Sequence, residues 1–514
     1  MTPSARTAIL SGLVVDGSGD EPFLGDVLIA GTRIDAVVPL AARPHDGYDA
    51  DVIDAEGLVV APGFVDIHCH SDLTRLAYPG GESRVTQGIT TEVVGNCGMS
   101  AAPTGGDAAG LAALIATIDV TPGTPRPWST VAEWLDALDE APSSTNVAAL
   151  VGHGSARHAA APGRVGELSE AEIVAVAAEV TRALEAGCVG ASLGLMYAPG
   201  ESAGRDELRA VAQAVADADG LVAAHLRDYD ARALTESLAE AADVADGARL
   251  QISHLRATHP DGRFAEAIAA VERLRDVQDA SADCYPYIAG HTTLLQLLPS
   301  RIRAAGPRAV LALGAPALAE GLRDSGWDPG QILVMKAAAT PEAVGRTPAE
   351  QARPWEWLAE LLVADGGLVD VAVESGSWPD VDLALTTDWV TIGSDGTALS
   401  AAHASSAAHP RSWGTFPAAF RRMRALGVPL SAAVRRMSVA SAERVGVPSG
   451  LRPGLPADVV VFAEDGLDSS ATFAEPARAA VGVRRVLVNG VPVLDEDGIT
   501  SARPGRVRRR ETAS

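Results

Sequence analysis

The chain has 514 residues, 47% hydrophobic and 21% charged, a balance and a length that fit a large globular domain with attachments. Its formal net charge of −25, from 66 acidic against 41 basic residues, would repel a phosphate backbone and argues against nucleic-acid binding. No apolar run is long enough for a membrane span, the start "MTPSARTAILSG" lacks a secretory pattern, and four scattered cysteines form no disulfide framework, so a cytoplasmic protein is expected.

The first 60 or so residues read as short alternating strands with turns between them, "AILSGLVVDG", "GDVLIAGTRIDAVV" and "DVIDAEGLVVAPG". The texture then changes to apolar strands alternating with alanine-rich helices such as "AEIVAVAAEVTRALEAG", the pattern of a parallel sheet. Eight strands can be counted: "GFVDIHCH", "TTEVVGNCG", "NVAALVGHG", "CVGASLGL", "GLVAAHLR", "RLQISHLR", "SADCYPY" and "WVTIGSDG". Eight strand–helix units make an α/β fold of the TIM (β/α)8 barrel type over residues 62–439. Residues about 295–386, between the seventh and eighth strands, are too many for a plain loop and predict an inserted subdomain. Strand texture returns in "ADVVVFAED" and "VRRVLVNGVPVLDED". Residues 1–61 and 440–505 are therefore expected to pair into a small β-sandwich domain. The basic tail "RVRRRETAS" is expected to be solvated.

Reactive groups of such a barrel collect at the C-terminal ends of its strands. His68 and His70 end strand one, Cys97 strand two, His225 strand five, His254 strand six and Asp395 strand eight. Strand alternation turns His68 and His70 to one side and leaves Cys69 on the other as a packing residue. A thiolate with several imidazoles is a borderline-soft set that favours zinc. A lone buried histidine is usually a hydrogen-bonded core residue, and HxH alone is weak. Five ligand-type residues and an aspartate, each closing a strand, are a much stronger pattern. Cys188 and Cys284 read as inert small hydrophobes. His153, in "VGHGS", stands between a pocket residue and a satisfied loop histidine. His403 and His409 follow strand eight and fit either a pocket or a surface.

The set resembles the amidohydrolase superfamily. Its closer likeness is to the N-acyl-D-amino-acid deacylase (D-aminoacylase) branch, through "GFVDIHCHSD", "VVGNCG", "GASLGLMYAPG", "QISHLRA", "DCYPYIAG", "TIGSDG", "HPRSWGTFP" and "LRPGLPADVVVF", motifs spread over nearly the whole chain. Many superfamily members bridge two metals with a strand-four lysine, but the only lysine here, Lys336, lies far beyond that strand. In the resembled branch a cysteine on strand two takes its place. The resemblance implies one tightly held zinc on Cys97, His225 and His254, with His68 and His70 marking a second metal position, weak or empty in that branch. It implies Asp395 as general base and then general acid in the hydrolysis of an N-acyl-D-amino acid to a carboxylate and a free D-amino acid. Substrate contacts are implied for Arg256, where the family carries lysine, for Tyr285 and Tyr197, for His291, where the family often carries serine, and for Arg411. Two departures, His291 and the segment "RATHPDGR" after strand six, which does not closely match the family's, keep a second reading open, an amidohydrolase acting on another C–N bond such as a cyclic imide, a hydantoin or a D-dipeptide-like amide. A non-catalytic ligand-binding relative is disfavoured, because every catalytic position is filled. Oligomeric state is not legible.

Overall fold

A computed structural model describes residues 6–44, 48–116, 128–303, 305–402 and 409–510. The eight apolar runs become eight strands: β1 (Phe64–Asp66), β2 (Ile89–Val94), β3 (Asn146–Gly152), β4 (Gly190–Gly194), β5 (Leu221–His225), β6 (Arg249–Ile252), β7 (Ala280–Cys284) and β8 (Val390–Ile392). They are hydrogen-bonded in sequence order, with neighbours parallel throughout. Their near-continuous burial is what a sheet covered by helices on its outer face requires. The ring closes beyond the ends of β1 and β8. There Cys69 bridges Gly396, the Asp395 N–H donates to the His68 carbonyl at 2.7 Å, and the His70 N–H donates to the Gly396 carbonyl at 2.8 Å.

The alanine-rich segments form the outer helices. Glu170–Glu185 starts at Ser169, whose hydroxyl accepts from the Glu172 N–H while the Glu172 carboxylate accepts from the Ser169 N–H, a reciprocal cap. Its inner stripe, Val176, Val180, Ala183 and Leu184, is buried.

The termini form one nine-stranded sheet. The N-terminal strand Val59–Pro62 pairs antiparallel with the C-terminal strand Val459–Phe462. One face of this sheet encloses a separate core that includes Ile9, Val27, Ile34, Val459 and Leu487, while Val59, Val460 and Phe462 pack into the barrel core. The halves expected as a sandwich are thus continuous through their hydrogen bonds.

The insert has its own three-stranded antiparallel sheet, Ala289–Thr293 and Ile332–Lys336 flanking Asp370–Glu374, and its own core around Leu318, Leu322, Leu358 and Val371. It begins earlier than the sequence texture suggested, because "AGHTT" is already a strand. The helix Trp378–Thr386 belongs instead against the barrel, where Ala384 and Leu385 join the main core. Among the described residues no helix is long and apolar enough to cross a membrane.

The basic tail is not free in solvent. Residues 506–510 lie across the N-terminal ends of β3 to β5. The Arg508 N–H donates to Val147 O at 2.6 Å, the Arg510 N–H to Gly187 O at 3.0 Å, and the Arg510 side chain to Ala218 O at 2.6 Å. Arg508 also forms a 3.0 Å ion pair with the half-buried Asp458. The backbone donors and acceptors at the barrel rim give this arm partners that water would otherwise supply.

Candidate metal centre and active site

Most site residues sit just past the strands rather than on them. Cys97, His254 and Asp395 have φ of 53°, 34° and 51°, left-handed values that end strand geometry and turn the side chains over the barrel mouth. Their neighbours permit the turn. A Cβ on Gly98 would lie 2.5 Å from Gly194 N, and one on Gly393 would lie 2.7 Å from His68 Cβ, so "GNCG" and "IGSDG" need glycine for close backbone approach.

The side chains converge. Cys97 Sγ lies 3.3 Å from His68 Nε2, 3.4 Å from His225 Nδ1 and 3.7 Å from His254 Nε2. Ligand atoms of Cys97, His225 and His254 all fall within 4.8 Å of one another, and so do those of His68, His70, Cys97 and Asp395. Cys97 is common to both groups. His225 Nε2 is buried without a protein partner. One thiol and two imidazoles in this arrangement fit a zinc ion.

Electrostatics separate Cys97 from the other three cysteines, all free and buried. Burial pushes Cys188 and Cys284 up to about 12 and raises Cys69 well above the thiol range. Burial acts on Cys97 too, but the His68 and His225 charges and the hydrogen bonds from the imidazoles outweigh it and hold the thiol well below its ordinary value. Cys69 Sγ turns away from the cluster, 3.3 Å from the Val93 carbonyl.

Asp395 is 3.0 Å from His70 Nε2, 3.6 Å from His68 Nε2 and 2.6 Å from Arg411 Nη1. Burial opposes its ionisation, yet Arg411 and His70 hold the carboxyl well below the usual range. Arg411 is itself buried, so it is not a surface ion pair. His409 accepts from the Arg411 N–H through Nδ1 and donates through Nε2 to the Ala289 carbonyl, which fixes its neutral tautomer and ties this loop to the insert.

A cavity of about 640 Å³ opens over the cluster. Arg256, Tyr285, Tyr197 and His291 line it. Arg256 donates to the Tyr285 hydroxyl and to Ser375 Oγ, and the Tyr197 ring packs, tilted, 4.6 Å from the His225 ring. His291 Nε2 is buried without a protein partner, and burial, then Arg411, push this imidazole down to about 3, so it stays neutral. His153 does not line the cavity. It opens the helix His153–Ala160 and turns back to Glu207, 2.7 Å away, which also pairs with Arg157. His403 lies outside the described residues.

Two buried aspartates were not expected at the site. Asp283 accepts from the His254 N–H at 2.8 Å and stands 3.4 Å from His68 Nδ1, which leaves His68 Nε2 facing Cys97. Asp66 pairs with Arg84 at 2.9 Å and accepts from the Ser394 N–H at 2.8 Å, fixing the residue before Asp395. Asp66 precedes "HCH" and Asp283 closes "SAD", so a carboxylate within an otherwise apolar strand was the available signal.

Residues 51–494 match the sequence profile described as the amidohydrolase family. The chain belongs to the amidohydrolase family. Among its family relatives, it is 32% identical to an N-acyl-D-aspartate deacylase of Alcaligenes xylosoxydans xylosoxydans, over 98% of this chain and 95% of that one. It is 31% identical to a D-aminoacylase of the same organism, over 98% of each chain. Its structure superposes with a TM-score of 0.82 on the N-acyl-D-glutamate deacylase of Bordetella bronchiseptica, at 31% identity, over 99% of this chain and 100% of that one. That relative was crystallised with zinc and a phosphonate inhibitor that mimics the reaction's tetrahedral intermediate.

Proposed function

We propose that this amidohydrolase is a zinc-dependent N-acyl-D-amino-acid deacylase that releases a carboxylate and a free D-amino acid. The observation that carries the reading is the convergence of Cys97, His225 and His254 within 4.8 Å, beside Asp395 at the mouth of the barrel. Cys97, His225 and His254 would hold the tight ion, and His68 and His70, with Cys97 shared, a second and weaker one. Bound there, zinc supplies a Lewis acid that polarises the amide carbonyl and lowers the pKa of water. Asp395 is held ionised and is suited to accept the water proton and return it to the amine, which leaves poorly while unprotonated. Among the described residues no carboxylate pairs with Arg256, so its guanidinium is available to the substrate's α-carboxylate, with Tyr285 beside it. Tyr197 and His291 face the same space, and Arg411 acts through Asp395. The four unpaired cysteines and the acidic surface support a cytoplasmic protein with small-molecule partners.

The test is hydrolysis of N-acetyl-D- and L-amino acids by zinc-loaded protein, with a hydantoin and a cyclic imide as competitors. Turnover of D substrates is expected. Turnover of the cyclic amides alone would replace this reading with the second one.

A further inference from the structure

Asp395 and Arg411 face one another from separate segments. Asp395 stands in the turn after β8, Arg411 opens the helix Arg411–Ala425, and their 2.6 Å contact helps to set where the carboxylate points. Both segments are held from behind by one side chain, Arg84, on the short helix Glu82–Val85 between β1 and β2. Arg84 is fully buried and does not line the cavity.

Each nitrogen of its guanidinium has a partner. Nη1 donates to Asp66 Oδ2 and to Ser394 Oγ, each at 2.9 Å. Nη2 donates to the Thr397 carbonyl at 2.9 Å and to the Ser412 carbonyl. Nε donates to Ser83 Oγ at 3.4 Å. One group therefore touches the residue before Asp395, the second residue after it, and the residue after Arg411. Ser394 relays this hold, because its hydroxyl donates to Asp66 Oδ2 and accepts from the Gly396 N–H at 3.0 Å. Gly396 is pressed between the two anchors: a Cβ there would lie 3.1 Å from Arg84 Nη2 and 2.9 Å from Ser412 Cα. Asp395, at φ 51°, adopts a left-handed conformation that a residue other than glycine keeps only where its surroundings fix it.

We infer that Arg84 is a positioning residue for proton transfer: its guanidinium, shared between the Ser394–Thr397 turn and Ser412, aims the Asp395 carboxylate at the reacting groups. This rests on the deacylase reading, in which Asp395 moves the proton. A misaimed base costs turnover far more than it costs binding. The role needs arginine, whose planar fork spreads five donors over two directions, whereas lysine offers three from one nitrogen. Lysine at this position would keep a cation beside Asp66 and lose the span between the two segments.

The experiment compares Arg84→Lys and Ser394→Ala with the parent on an N-acetyl-D-amino acid, with zinc content measured on the same samples. Ser394→Ala leaves the Arg84–Asp66 pair whole and removes only the hydroxyl relay, so it decides the question even where Arg84→Lys does not fold. The expected result is a kcat lower by about 10- to 100-fold in Arg84→Lys and about 3- to 10-fold in Ser394→Ala, with KM within about 3-fold and zinc as in the parent. Parental kcat in either folded variant, including a defect confined to KM, would overturn the inference and leave the deacylase reading standing. Zinc lost in step with kcat would also overturn it, because Arg84 would then support the metal centre rather than the base. A parent that hydrolyses no N-acyl-D-amino acid would overturn the deacylase reading and this inference with it.

Discussion

At the scale of single residues, Cys97 holds the site together, because it touches three of the imidazoles at once. Cys97→Ala should leave the circular dichroism spectrum near that of the parent. It should remove the tight zinc, measured by elemental analysis after dialysis, and lower kcat/KM by about 1,000-fold or more. Asp395→Asn keeps the shape and removes the base. It should retain zinc while kcat falls by about 100- to 10,000-fold. The six residues expected at the metal centre were legible because each is a polar side chain closing an apolar strand. One residue was read less well. His153 obeys the same rule, yet its helix turns it to Glu207, a partner some 50 positions away that no local pattern announces. Arg411 was expected to bind a substrate carboxylate; it lines the cavity and also pairs with Asp395, a contact that only tertiary packing creates.

At the scale of elements, the loops after β5 and β6 are joined at the cavity rim. Asp230 bridges Thr258, accepts hydrogen bonds from Arg232 and lies 3.3 Å from His259 Nδ1, while the His259 ring packs 4.3 Å from Trp327 of the insert. The hydrogen bonds from Arg232 hold the Asp230 carboxyl down at about 2, against an ordinary value of 3.8. A depressed acid stabilises the fold above its unfolded value and loses that contribution as pH falls through the folded one. Because Arg232 is largely exposed, solvent screens the pair and the contribution is small. Asp230→Asn should therefore slightly lower the urea-unfolding free energy at pH 7, and the gap to the parent should narrow below pH 4. The strand–helix alternation of the barrel was legible because its period changes with each element. The start of the insert was not, because "AGHTT" becomes a strand only by pairing with Asp370–Glu374, far along the chain.

At the scale of the whole molecule, the C-terminal arm seals the end of the barrel opposite the active site. Arg508 also donates to Asn489, which bonds Asn146 on β3, so one residue links the arm, the terminal sheet and the barrel. Truncation after Pro504 would leave the half-buried Asp458 without its cation. It should cost about 1–3 kcal/mol, seen as a lower Tm, with KM unchanged because the cavity lies at the other end. Charge alone read this tail as solvated. What binds it is the row of open backbone groups at the strand starts, which no residue composition reveals.

The pairing of Val59–Pro62 with Val459–Phe462 has a bearing on synthesis. The first strands leave the ribosome about 400 residues before their partner exists, which at roughly 5–20 residues per second is about 20–80 seconds. Through that interval Val60 and its neighbours present an unpaired apolar edge, the kind of surface that recruits other chains. Yield in a heterologous host should thus depend on translation speed and on chaperone supply, even though the finished enzyme buries that edge completely.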